Sequence, residues 1–439
     1  MNTKSLGKAQ GFGLAILTQF AASDLPDRLK IRNTVEKMLY LGSKNGFKLI
    51  ATASRSFKPS QKTSTAAGSA TRLNTQKKAG VFDLSLSDEQ QQVRDNLSRF
   101  ARDVLRPAAH NADDAHQVPA EILSQATDLG LIYYAIPEQF GGMATEQSLV
   151  TQMLALEDLG KGDFSIGAAL FTSVSVANVL TRYGTAEQQA KYLPAFVEDS
   201  PLLATLACVE PTALFNPVEL HTVATSTGGD YVLNGEKSLV LMGQVAELFI
   251  VSAELDGEPS LFVVEGGTEG LSVAAEPAMG LKAAQTARLT LNGVRIPVAN
   301  KLDADYREFL DLGRLAFCAL ALGVGEAILE YVIPYVNDRI AFGEPISHRQ
   351  SVAFMVADIA IELDSMRMLT WRACALAENG QPFHREAHLA QILCSEKAMK
   401  LGTDSVQLLG GHGFTKEHPV ERWYRDLRSL AVMHNALSL

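Results

Sequence analysis

The stretch VQLLGGHGFTKEHPVERWYRD runs from Val406 to Asp426. An apolar run ends on the Gly410–Gly411 pair, and ERWYRD closes it with a cluster of basic, aromatic and acidic side chains. Taken alone, the double glycine reads as a plain turn. After Asp426 comes a tail to Leu439, with His434 five residues before its end. A chain end with so little after it is expected to be mobile.

Upstream of this stretch the helical period is continuous from about Tyr306. Val352, Met355, Val356, Ile359, Leu363 and Met366 form one apolar stripe. Residues 203–305 differ in character. YVLNGEKSLVL, ELFIVSA, SLFVVE and ARLTLNGVRIPV are short β-rich runs separated by Gly and Asn turns. Residues 81–202 are again helical, opening on a capping box made by Ser87 and Gln90. The expected fold class is therefore α+β and mainly α: a helical domain (81–202), a central β domain (203–305) and a helical bundle (306–439). Ahead of them lie a basic extension (1–57), read as helical, and a Ser-, Thr- and Lys-rich linker (58–80).

A chain of 439 residues supports two or three cores of this kind. The net charge of −10 argues against nucleic acid as the main ligand. The balance is uneven: residues 1–80 carry fourteen Lys and Arg against three Asp and Glu, leaving −21 on the remainder. The extension reads either as a docking arm for another subunit or as a peripheral contact with an anionic inner membrane of a cytoplasmic protein. The longest apolar runs look too interrupted to span a bilayer. The four cysteines show no metal or CxxC spacing, and the histidines form no cluster, so no metal site is expected. His348, His384, His412 and His418 fall on surfaces or turns and are assigned no role.

Several stretches, in order, resemble the acyl-CoA dehydrogenase family: IPEQFGG, YGTAEQQAKYLPAF, ACVEP, YVLNGEK, GLKAAQTARLTLNGVRIPVANKL, DRIAFGEPI and the opening stretch. Each is weak alone; their order and spacing together are specific. The resemblance implies a helical domain, a β domain and a four-helix bundle, assembled as a dimer or tetramer. It also implies FAD as cofactor and oxidation of an acyl thioester to its enoyl form. Such chemistry needs a base at the α-proton, a flavin to take the hydride and donors for the thioester oxygen.

By resemblance, Arg339 pairs with the FAD diphosphate, a suitable partner for a guanidinium fork. Phe342 and Ile346 pack the cofactor. Gln407, Gly410 and Gly411 meet its adenine end, where glycine permits close approach. Asp311 and Arg314 stand where family members contact coenzyme A. Two bland readings compete: Arg339 as a helix C-terminal cation and Asp311 as a helix cap.

The flavin-ring end departs from the family. Val209 replaces a hydroxyl residue, TALFNPVEL replaces a polar loop, and Leu239, Val240 and Leu241 replace an indole and a hydroxyl. Counting from Asp426, His434 falls at the catalytic glutamate's position, with Asn435 and Ala436 in place of Gly-Thr; the helix that follows in the family is expected to be absent. A second base position used by some members holds Gly313. His434 is thus the candidate base, weighed against a terminal histidine with no catalytic duty. The expected function is α,β-oxidation of an acyl-CoA or acyl-carrier thioester with FAD and weakened catalysis. The alternatives are a non-catalytic, Arg-donating subunit beside a Glu-bearing paralogue, or a flavin-free scaffold.

Overall fold

A computed structural model describes residues 86–144 and 147–439. The basic extension and the linker lie outside the described residues. The first helices are α1 (Asp88–Phe100), α2 (Arg106–Ala115), α3 (Ala120–Asp128), α4 (Leu149–Gly162), α5 (Phe164–Tyr183) and α6 (Ala186–Tyr192). The capping box forms as expected: Gln90 N donates to Ser87 Oγ at 3.1 Å, and Ser87 N to Gln90 Oε1 at 3.0 Å.

Strands β1 (Ala204–Ala207), β2 (Val223–Thr227), β3 (Asp230–Val240), β4 (Leu248–Leu255), β5 (Glu258–Glu265), β6 (Leu271–Ala275) and β7 (Ala287–Pro297) form one seven-stranded sheet. Its path is β1-β4-β2-β3-β7-β6, with β5 also pairing β4. Only β1–β4 and β2–β4 are parallel. Phe249, Val251, Phe262, Val264, Leu289 and Leu291 form a core belonging to this domain.

The bundle follows: α7 (Tyr306–Asp338), the short strands β8 (Ile340–Ala341) and β9 (Glu344–Pro345), α8 (Gln350–Glu378), α9 (His384–Leu409) and α10 (Val420–Leu427). Asp305, not Asp311, caps α7, accepting from Arg307 N at 3.0 Å and Glu308 N at 3.1 Å. The capping alternative for Asp311 is therefore overturned, because Asp311 lies inside the helix. Helices α4 and α7 cross in direct backbone contact. A Cβ on Gly323 would stand 1.9 Å from Glu157 O, and one on Gly160 2.3 Å from Leu320 O.

Contrary to the reading of the apolar runs, α5 and α7 are long and apolar enough to cross a membrane. In the fold they are core helices, with 83% and 72% of their most apolar windows buried. Of the predicted stripe on α8, Ile359, Leu363 and Met366 are buried. Phe354, Ile361 and Met368, at seven-residue intervals on the same helix, are exposed.

Candidate active site: an open nucleotide face and a filled base pocket

The ERWYRD cluster is a junction of segments. Arg422 Nε donates to Asp163 at 2.9 Å, and Asp163 also caps α5. Arg425 forks onto Asp113 of α2 at 2.8 and 3.0 Å, and donates to Met279 O at 3.1 Å. The Asp426 carboxylate accepts from Leu281 N at 2.8 Å. Burial, together with the nearby Asp163 charge, pushes the Asp426 carboxyl well above its usual range. One helical turn thus ties α2, α5 and the loop before β7 together, and fixes where the tail departs.

The tail is not mobile. Met433 and Asn435–Leu439 are all buried, and Leu437 is 0% exposed. Asn435 Nδ2 donates to Phe309 O at 2.6 Å; Ser438 N donates to Ser175 Oγ at 2.9 Å; Asn178 Nδ2 donates to Ser438 O at 3.3 Å. The segment therefore threads between α5 and α7. Its apolar residues join the main core, which a mobile end could not do. The expectation failed because spacing from the chain end says nothing about a groove waiting between two helices.

His434 sits at the mouth of this groove, half-buried. Its ring meets Phe215 edge-on, with centroids 6.0 Å apart. Burial, then the positive charge of Arg314, hold its pKa below the usual histidine value. The imidazole is consequently neutral at neutral pH. It keeps a lone pair but is a weaker base than ordinary histidine. The space lined by Arg314, Phe317, Gln391, Met433, His434 and Asn435 measures about 10 Å³, room for one water at most. At the other base position, a Cβ on Gly313 would lie 2.3 Å from Asn435 Nδ2 and 2.9 Å from Leu437 O. Gly313 is therefore required by the tail that packs on it.

Asp311 and Arg314 pair with each other. Arg314 Nη1 donates to Asp311 Oδ1 at 2.6 Å, and His384 Nδ1 lies 2.7 Å from Asp311 Oδ2. Asp311 is buried, so its charge is spent on these two partners.

Sequence reasoning missed the frame beneath the ring-side loop. Glu210 accepts from Lys237 Nζ at 2.7 Å, His221 N at 2.8 Å and Thr222 N at 2.9 Å. Lys237 is 0% exposed and also donates to Ser252 Oγ at 3.1 Å. Burial would raise the Glu210 pKa, but Lys237 and the backbone donors outweigh it and bring it down to about 2. The clue was present in ACVEP and NGEK, where Glu210 and Lys237 punctuate β-rich runs. On this frame stands the loop carrying Phe215, pinned by Tyr306 OH donating to Pro217 O at 2.8 Å.

The nucleotide-side residues behave differently. Arg339 is the C-cap of α7 and is exposed, so the competing macrodipole geometry is present too. Phe342 and Gly343 form the two-residue turn between β8 and β9, both at positive φ (57° and 86°). Such turns favour Asn and Gly, yet Phe342 holds its ring 96% exposed there. Ile346 N returns to Arg339 O at 2.9 Å, which locks the hairpin. Gln407, Gly410 and Gly411 are exposed at the end of α9, and a Cβ on Gly411 would meet nothing within 4 Å. The two groups share one end of the bundle. Tyr335, one turn before Arg339, reaches Leu409 O at 3.5 Å.

The expected flavin can be tested against these residues. The nucleotide half fits: an exposed guanidinium, an exposed aromatic ring and an open glycine pair suit a diphosphate and an adenine approaching from outside. The ring half does not fit this arrangement. Val240 and Leu241 are buried in the protein core. Leu239 N and Ser238 Oγ are bonded to Glu276 at 2.7 and 3.0 Å. Phe215 already touches the candidate base. No redox step follows from the ring-side geometry.

The chain matches three family profiles: acyl-CoA dehydrogenase N-terminal domain over residues 87–200, middle domain over 205–294 and C-terminal domain over 305–434. A probable acyl-CoA dehydrogenase of Bacillus subtilis, YngJ, is 32% identical over 365 residues, covering 80% of this chain and 95% of its own length. The butyryl-CoA dehydrogenase of Megasphaera elsdenii superimposes with a TM-score of 0.73 at 30% identity, over 80% of this chain and 95% of that one. PigA, solved as an FAD complex, gives a TM-score of 0.74 at 27% identity, with the same two coverages. The chain belongs to the acyl-CoA dehydrogenase family, FAD flavoprotein oxidoreductases that act on CH–CH bonds.

Proposed function

We propose that this chain oxidises the α,β-bond of an acyl thioester, carried on coenzyme A or on an acyl carrier, with weak catalysis while its tail is seated. The observation that carries the reading is the nucleotide face, where Arg339, Phe342 and Gly411 are presented outward in a fold whose relatives are acyl-CoA dehydrogenases. FAD, when bound, supplies the hydride acceptor. The chain's own residues do the remaining work. Arg339 holds a diphosphate, Gln407, Gly410 and Gly411 admit an adenine, and Arg314 places a positive charge beside the candidate base. His434 is neutral and therefore able to accept a proton, but it is walled in by Phe215 and its own tail. Substrate reaches it only if Asn435–Leu439 withdraws from between α5 and α7.

The exposed Phe354, Ile361 and Met368 support assembly with a second copy, since three large apolar residues on one helical stripe are costly to leave in water. Anaerobic bleaching of bound FAD by a panel of acyl-CoA thioesters tests the proposal. Slow bleaching by the parent that quickens in Leu437→Asp is expected. Failure of the parent to retain any FAD overturns it. The filled base pocket also favours a second reading, an Arg-donating subunit beside a Glu-bearing paralogue. Rapid turnover only in the mixed assembly would select that reading.

A further inference from the structure

We propose that His412, Glu417 and His418 form a binding site for a divalent metal ion of the zinc class. The sequence places these residues in one turn but gives no reason for their side chains to converge. In the fold, one donor atom from each lies within 4.8 Å of the other two. Thr415 closes the turn, its N and Oγ1 both donating to His412 O at 3.1 and 2.9 Å.

His418 is held in place. Its Nδ1 lies 2.6 Å from Tyr331 OH, and the rings of Tyr331 and Tyr335 stand edge-on to it at 6.1 and 5.8 Å. With Nδ1–H donating to the tyrosine oxygen, the Nε2 lone pair is left for a metal. This is the orienting contact that metal-bound histidines usually make with a second group. The His412 ring stands edge-on to His418 at 5.5 Å.

Two imidazoles and a carboxylate suit zinc, nickel, cobalt or copper rather than magnesium or calcium. Tetrahedral zinc, with bonds of about 2.0–2.1 Å, holds its donors well inside that 4.8 Å limit. His412 and Glu417 are exposed, so a small side-chain rotation is enough, and the fourth position is open to water. The cations around the neighbouring cleft do not oppose the ion strongly, because each has its own acid. Lys416 pairs with Asp114, Arg106 with Glu330 at 3.1 Å and Arg422 with Asp163 at 2.9 Å. A bound ion would brace the turn that begins at Gly410.

The test uses the full chain without added flavin. Zn²⁺ titration by calorimetry should give one ion per chain, and Co²⁺ should give a visible ligand-field band. His412→Ala and Glu417→Gln change exposed side chains and should keep the parent's thermal melt. Each should weaken Zn²⁺ binding at least about tenfold, as loss of a metal-site contact does, and His412→Ala should abolish the cobalt band. Absence of Zn²⁺ binding to the parent overturns the proposal, as does an affinity unchanged within twofold in both variants.

Discussion

The two ends of the expected cofactor site are built on opposite plans. At the nucleotide end, side chains and glycines face outward: Arg339, Phe342, Gln407 and Gly411 touch little of their own chain. At the base end the side chains are packed against their own chain. Asn435 fills the space over Gly313, Ser438 bonds Ser175, and His434 rests on Phe215. A residue kept for a ligand should cost little stability when replaced, and a residue kept for packing should cost a great deal. That contrast can be measured position by position.

The largest effect is expected beneath the ring-side loop. Lys237→Met leaves the Glu210 carboxylate buried without its cation. Removing one partner of a buried pair typically costs about 3–5 kcal/mol. Urea denaturation should show a loss of that size. A loss below about 1 kcal/mol would mean that water or rearrangement takes the lysine's place.

Two glycines give the next comparison. Gly313→Ala drives a methyl into Asn435, an overpacking that costs about 1–3 kcal/mol. The tail should then become accessible to carboxypeptidase. Gly411→Ala meets nothing and should stay within about 0.5 kcal/mol of the parent, while lowering FAD affinity. Equal stability losses in the two variants would erase the distinction between the ends. The same geometry constrains any attempt to install a base at 313, since a glutamate there can enter only after the tail has left.

Much of the fold was legible because it rests on periodicity. The Ser87 capping box, the β runs and the Ile359–Leu363–Met366 stripe each follow from local spacing. Family spacing named Arg339, Gly411 and His434 as candidates without any coordinates. What stayed hidden depends on contacts distant in sequence. Asn435 meets Phe309 and Gly313 across more than a hundred residues, and nothing in NALSL announces a buried segment. Glu210, just after β1, and Lys237, on β3, pair although β4 and β2 lie between those strands in a sheet order that was not readable. Phe342 was expected to pack a cofactor, but its left-handed backbone and bare ring appear only once the β8–β9 turn is built.

An effect of similar size, but confined to binding, is expected at the nucleotide end. Arg339→Ala removes one charge-assisted contact worth about 1.5–3 kcal/mol. FAD affinity should fall by about one to two decades, with an unchanged thermal melt for the flavin-free protein. Flavin titration that gives the same affinity for variant and parent would reduce Arg339 to a helix-end cation.

The smallest effect tests whether the base end is as dry as it looks. Burial and Arg314 depress the pKa of His434 below its ordinary 6.5. The folded state thus disfavours the imidazolium relative to the unfolded chain. By linkage, the unfolded state binds the extra proton first as acid is added. The stability due to neutral His434 is therefore complete above pH 6.5 and is lost as pH falls through the depressed value. His434→Phe keeps an aromatic ring against Phe215 and cannot titrate. Its stability should fall less steeply than the parent's as pH drops below about 6.5, and the two curves should run parallel at higher pH. An NMR titration placing His434 at or above 6.5 would show that water reaches the ring, and the tail would then be a loose cover rather than a packed one.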